Sequence, residues 1–249
     1  MGALAARTRI AILSGLAGAA ALAWLAIVRM EQTMWGMPMA GLHPWSALDF
    51  AMMLAMWVVM MVGMMIPSAV PAVMIYAQME RRAAREGQAL APTAVFALGY
   101  LLAWALFSAG ATLAQWALER AALLSPMWVT TSPRLGAALL ILAGVYQLTP
   151  WKDACLRRCR SPAQFLSAHW RAGPAGALRL GLLHGLYCVG CCAVLMALLF
   201  VGGVMNLLWI AGIALFVLLE KTLPLGRGGR WVSGLGLIAT GAYASLVGL

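Results

Sequence analysis

One histidine and three cysteines share nine residues of an apolar run: His184, Cys188, Cys191 and Cys192. At about 100° per helical residue, with His184 at zero, Cys188 lies near about +40°, Cys191 about −20° and Cys192 about +80°. His184, Cys188 and Cys191 thus share a face, and imidazole with two thiolates is a soft-metal donor set. A histidine inside a membrane span is costly and marks a functional site by default. The competing reading makes the cysteines small apolar residues at a helix contact, with His184 bonded to a carbonyl and Gly190 permitting close packing. Cys155 and Cys159 are four residues apart, so they share a side if their segment is helical. They stand among Arg157, Arg158 and Arg160, and a basic interfacial segment with incidental cysteines is the alternative.

Thioethers add a second class of soft donor. Thirteen of the 17 methionines lie between Met30 and Met79. Met30, Met34, Met37 and Met39, with His43 just beyond, place several thioethers on one segment, which can wrap a soft cation such as Cu(I). The alternative there is Met as apolar filler of a short loop. Met53, Met56, Met60 and Met64 form a stripe about 80° wide on one helix face. Such a stripe also suits packing, because Met fills gaps well. Pro67 and Pro71 follow it and predict a kinked or broken helix, a feature that marks sites in transporters.

The elements that must position these donors are membrane spans. Hydrophobic residues make up 64% of the 249 and charged residues 10%, against roughly a quarter charged in a soluble domain. Lipid replaces the polar surface that such a chain lacks. Long apolar runs, rather than short alternating segments, exclude a β-barrel. The expected fold class is all-α: a single polytopic transmembrane helical bundle over 1–249. Seven apolar runs, at about 10–28, 50–75, 93–116, 135–149, 179–200, 203–219 and 231–249, read as spans, each needing about 20 residues. The run at 135–149 is the shortest.

Charge orients the bundle. On a seven-span path, 14 of the 17 Lys and Arg fall on one side and three (Arg29, Arg120 and Arg134) on the other. Basic residues stay cytoplasmic, which places the amino terminus inside and the carboxyl terminus outside. Topology therefore accounts for the net charge of +10, and no nucleic-acid partner is expected. The first run follows Arg7 and Arg9 and carries Ala21-Leu22-Ala23, resembling a signal-peptide cleavage site. It continues through Val28 and is read as an uncleaved anchor. The 150–178 loop is then cytoplasmic, where Cys155 and Cys159 stay reduced. At about 1.5 Å per residue, Cys188 lies about 14 Å in from Arg179 and Met60 about 16 Å in from Asp49, at a common level.

Other chemistry is sparse. None of the seven acidic residues falls clearly mid-membrane, and Glu220-Lys221 reads as a local pair ending the sixth span. The sequence has no phosphate loop, nucleophile triad or dinucleotide fingerprint, so no catalytic residue is assigned.

Several of these segments resemble a known family. They are Ala51-Met52-Met53 through Met64-Met65-Ile66-Pro67, Trp151-Lys152-Asp153-Ala154-Cys155 with Cys159-Arg160-Ser161-Pro162, and His184-Gly185 with Cys188-Val189-Gly190-Cys191-Cys192. Gly203-Val204-Met205-Asn206 and Glu220-Lys221 complete the set. Together they are similar to bacterial predicted metal-binding integral membrane proteins. One class of that family resembles membrane copper chaperones needed to mature polyphenol oxidase (tyrosinase). The resemblance covers about 50–221 and implies copper handling.

The resulting expectation is a Cu(I)-binding protein of the bacterial cytoplasmic (inner) membrane. It would act in copper delivery to a cuproenzyme, in copper transport or in homeostasis. His184, Cys188, Cys191 and Cys192 form the core site, with Met56, Met60 and Met64 as thioether partners. Met34, Met37, Met39 and His43 serve outside, and Cys155 and Cys159 inside. Zinc fits the Cys and His donors but not the thioethers. The expected partners are the lipid bilayer and a periplasmic or membrane cuproenzyme or soluble copper carrier. Two rival expectations are a thiol–disulfide or quinone oxidoreductase using Cys188 and Cys191 and a structural subunit of a larger membrane complex.

Overall fold

The computed structural model describes residues 2–35, 45–87, 90–125, 128–223 and 226–247. Among them the chain forms helices α1 (Gly2–Trp35), α2 (Ala47–Arg85), α3 (Thr93–Arg120), α4 (Pro133–Leu148), α5 (Pro150–Arg160), α6 (Pro162–Ala168), α7 (Gly173–Met196), α8 (Leu199–Gly202), α9 (Leu207–Thr222) and α10 (Gly226–Val247), and no strand. The all-α expectation is met. Four helical segments are long and apolar enough to cross a membrane: Arg7–Thr33, Ala47–Arg85, Thr93–Arg120 and Gly173–Gly202. Large apolar side chains such as Leu22, Leu106, Leu142 and Leu215 stand exposed on four different helices. Apolar surface spread this widely is compatible with a lipid surround.

The second apolar run, where a kink or a break was expected, forms one helix. Ser46 and Asp49 start α2 with a capping box, in which Ser46 Oγ accepts from Asp49 N at 3.3 Å and Asp49 Oδ2 accepts from Ser46 N at 2.7 Å. The helix then runs 39 residues, with Pro67 and Pro71 inside it. Each proline forfeits one backbone hydrogen bond, but packing secures α2 on either side of them. Before the prolines, Gly63 takes the Ile27 and Ala23 side chains of α1. Beyond them, Tyr76 donates to the Ala91 carbonyl at 3.1 Å and stacks on Phe96 at 4.9 Å.

The sixth run also begins later than its hydropathy predicts. Gly203 has φ +98, a conformation that glycine adopts without strain. Asn206 then caps α9, its Oδ1 accepting from Trp209 N at 3.1 Å.

Small residues set the closest helix crossing. Gly99 of α3 lies against the Leu178 carbonyl of α7, and Gly181 of α7 against the Phe96 carbonyl of α3. Gly185 faces Ala103 and the Tyr100 backbone. A methyl group on any of the three would collide, and at Gly99 and Gly181 backbone meets backbone directly.

The short helix α5 is fastened in place by charge. Thr149 caps it, accepting from Lys152 N at 3.3 Å, with Pro150 in the first turn. Lys152 is fully buried and reaches the Glu220 carboxylate of α9 at 2.7 Å. Arg160 Nε donates to the Glu220 carbonyl at 3.0 Å, and its Nη2 bonds the Leu223 carbonyl. These fill acceptors left open at the end of α9. Asp153 pairs with Arg230 of α10 at 3.0 Å. The expected local pair of Glu220 with Lys221 is therefore absent. Successive helical residues point about 100° apart, and the two side chains go to different partners.

Candidate functional site

The contacts that fasten α5 also turn its two cysteines onto α7. A Cβ at Gly190 would lie 3.0 Å from Cys155 Sγ, so the glycine makes room for that thiol. The Tyr146 hydroxyl donates to the Gly190 carbonyl beside it. One turn along α5, Cys159 Sγ lies 4.0 Å from Cys191 Sγ. Within α7, the Cys191 and Cys192 thiols donate to the Cys188 carbonyl at 3.0 and 2.9 Å. All five cysteines are free thiols, with Cys188, Cys191 and Cys192 buried and Cys155 and Cys159 half-buried. The α5 pair and the α7 trio, separate groups in the sequence, form one cluster here.

Polar groups from three other helices surround Cys188. Lys221 Nζ of α9 donates to its Sγ at 2.9 Å and to Ser68 Oγ of α2 at 3.2 Å. Tyr100 Oη of α3 lies 3.1 Å from the same sulfur and 3.2 Å from the Met65 carbonyl oxygen of α2. On α5, burial pushes the Cys155 thiol up, with Cys191 adding to the effect and Arg158 opposing it. Hydrogen bonding to Cys188 and Cys191, then burial, holds Cys159 well above the usual thiol range.

His184, one turn before Cys188 on α7, has its own aromatic surroundings. Its ring packs among Phe165, Tyr100 and Phe96, with centroids 5.3, 6.0 and 6.1 Å away. Its Nδ1 is buried without a hydrogen-bond partner. Tyr100 connects the two regions, its ring against His184 and its hydroxyl against Cys188. Among the described residues, no three His, Cys, Asp or Glu side chains stand ready to hold a metal ion.

Met56, Met60 and Met64 are buried, as are their neighbours Met61 and Met65. At the start of α2, Met53 Sδ lies 3.6 Å from Gln115 Nε2. Gln115 also accepts from Trp57 Nε1 at 2.8 Å and donates to Glu119 at 3.0 Å. Cys188 is level with Met65 rather than with Met60, since Tyr100 Oη touches both. That is five residues, or about 7.5 Å, further along α2 than counting from Asp49 predicts. A 39-residue helix exceeds the span of a bilayer core, about 30 Å, so its first residue does not mark the membrane edge. Met37, Met39 and His43 lie outside the described residues, as does the Met34 side chain.

Sequence reasoning passed over Lys221, Tyr100 and Ser68 as partners of the thiols. The crossing that brings Tyr100 to Cys188 had a signal, because Gly181 and Gly185 form a small-xxx-small pair. Lys221 had a weaker one, a lysine at the end of an apolar helix whose neighbouring carboxylate points elsewhere.

Fold and site together define a class: an all-helical protein with membrane-length apolar helices around a buried cluster of free thiols. A family model described as PpoB2, copper chaperone, matches residues 54–244, and the chain belongs to that family. The matched stretch contains all five cysteines, His184, Lys221 and the buried methionines. No curated protein and no solved structure matches the chain.

Proposed function

We propose that this protein is a multi-pass protein of the bacterial inner membrane that binds Cu(I) as cargo and delivers it to a periplasmic or membrane cuproenzyme. Its role is accessory rather than catalytic. The observation that carries this reading is the approach of Cys159 to Cys191 across two helices, at 4.0 Å. Metal–thiolate bonds of about 2.3 Å, the zinc value, put two sulfurs about 4.6 Å apart across a linear ion. A small movement of α5 therefore admits a two-coordinate soft ion. Cys188, Cys155 and Cys192 supply further sulfur, and the unpartnered His184 Nδ1 is a nitrogen donor nearby. The donor set suits Cu(I) and lacks the oxygen ligands that Mg²⁺ or Ca²⁺ require.

The buried methionines of α2 lead from its outer half to the level of Cys188, which supports a thioether path between the thiols and the far side. Met34, Met37, Met39 and His43 would begin that path. The seven-span arrangement with a cytoplasmic amino terminus completes the proposal, supported by the 14-to-3 division of basic residues and by α4, α9 and α10 lying on the remaining apolar runs. Reporter fusions at residues 85 and 170 are expected to read cytoplasmic, and those at 127 and 249 external. A cytoplasmic carboxyl terminus breaks the seven-span arrangement. Full-length protein purified in detergent is expected to retain Cu(I) against a weak chelator, in proportion to its free thiols. Copper-free protein that gains none on titration with Cu(I) would falsify the functional reading.

A further inference from the structure

Lys221 is unusually placed for a lysine near the end of an apolar helix. Its ammonium meets a sulfur, Cys188 Sγ at 2.9 Å, and a hydroxyl, Ser68 Oγ at 3.2 Å. Among the described residues it has no carboxylate partner. The adjacent carboxylate, Glu220, is held by Lys152 at 2.7 Å. The positive charge of Lys221 is therefore committed to the thiol cluster, in surroundings where Cys188, Cys191 and Cys192 are all buried.

A buried site is most stable when its charges cancel, because an uncompensated charge in low dielectric is costly. Two thiolates contribute two negative charges. With one monovalent ion and one ammonium the sum is zero. With a divalent ion in the same place the sum is one positive charge, and without the ammonium the preference reverses: the divalent complex becomes neutral and the monovalent complex carries a negative charge. We infer that Lys221 is the charge partner that makes the thiol cluster selective for a soft monovalent cation over a divalent one such as Zn²⁺. Thiolate and imidazole donors alone do not make this distinction, since both suit zinc. The inference rests on the proposed Cu(I) site and adds to it the basis of metal choice.

The test compares two metals on the full chain in detergent. Cu(I) and Zn²⁺ affinities are measured by chelator competition for the natural protein and for Lys221→Met, Lys221→Gln and Lys221→Arg. An opposite charge within about 4–6 Å moves a proton equilibrium by one to three powers of ten. The ratio of Cu(I) to Zn²⁺ affinity is accordingly expected to fall by about tenfold or more in Lys221→Met and Lys221→Gln. Lys221→Arg, which keeps the charge, is expected to retain most of the ratio. Co²⁺ gives a spectroscopic reading of the same effect, because thiolate-to-cobalt absorption should strengthen in the two neutral variants.

Loss of both metals in equal proportion would show a structural role for Lys221 and overturn the inference. So would an unchanged ratio in whichever neutral variant folds, or a ratio lost equally in Lys221→Arg. These results leave the Cu(I) site itself standing. Failure of the natural protein to bind Cu(I) removes the site, and this inference with it.

Discussion

Two sulfur-rich regions, one on α2 and one on α7 with α5, are built differently in this molecule. Met56, Met60, Met61, Met64 and Met65 of α2 are buried about as deeply as the cysteines of α7. Yet Met56, Met60 and Met64 sit among apolar side chains, while Cys188 alone gathers a lysine and a tyrosine from two other helices. The thiol region also includes α5, with Cys159 and Cys155 against Cys191 and Gly190. Thioethers are neutral ligands and need no counter-charge, whereas thiolates carry charge that must be balanced when buried. In the proposed function, retention of an ion therefore falls to the thiols and passage to the methionines.

The comparison is broken most directly by removing one sulfur from the thiol side. Cys191→Ser and Cys159→Ser are each expected to weaken Cu(I) binding by more than about 100-fold, beyond the 10–100-fold typical of outer-shell losses. Competition with a Cu(I) chelator measures this. Leu215→Ala, on an exposed face, should change nothing in the same assay. Equal retention in both serine variants would return the cysteines to a packing role.

The next largest effect is on stability. Lys152→Met leaves the Glu220 carboxylate buried without its partner, at an expected cost of about 3–5 kcal/mol. Thermal unfolding in detergent checks it, and the double change Lys152→Met with Glu220→Leu should recover much of the loss. If the pair is what presents Cys159 to Cys191, the single variant also weakens Cu(I) binding while the α2 methionines stay in place.

The smallest effect is expected on the methionine side. Met60→Leu conserves volume and should cost less than about 1.5 kcal/mol. Since Cys188 lies level with Met65, equilibrium affinity at the thiols should stay within about threefold, under 1 kcal/mol on the scale where 1.4 kcal/mol is tenfold. The rate at which copper crosses reconstituted vesicles should fall. An unchanged rate makes the stripe packing alone and sharpens the contrast in favour of the thiols.

Much of this architecture was legible because hydropathy and charge act along the chain. The apolar runs fell on helices, and the start of α5 was written in Thr149-Pro150, a cap followed by proline. The late start of α9 was written too, in Gly203 and Asn206, but their apolar neighbours Val204 and Met205 concealed it. The site was half legible. The spacing of Cys188 and Cys191 on one helical face was readable, but the meeting of Cys159 with Cys191 depends on how α5 folds back over 32 residues. No periodicity carries that information. Depth was misjudged for a different reason, since counting from Asp49 assumes that the first residue of a 39-residue helix marks the membrane edge.

The glycine crossing of α3 and α7 has a mechanical consequence. Where backbone rests on backbone, no side chain is present to change rotamer and absorb a displacement. Close packing of this kind leaves the two helices little room to shift against each other. Tyr100 and Cys188 lie beside this crossing, with Tyr100 Oη 3.1 Å from Cys188 Sγ. In the proposed function, the movement that admits an ion then falls to the other walls: α5, which meets α7 through side chains, and the end of α9, where Lys221 reaches Cys188 on a four-carbon stem.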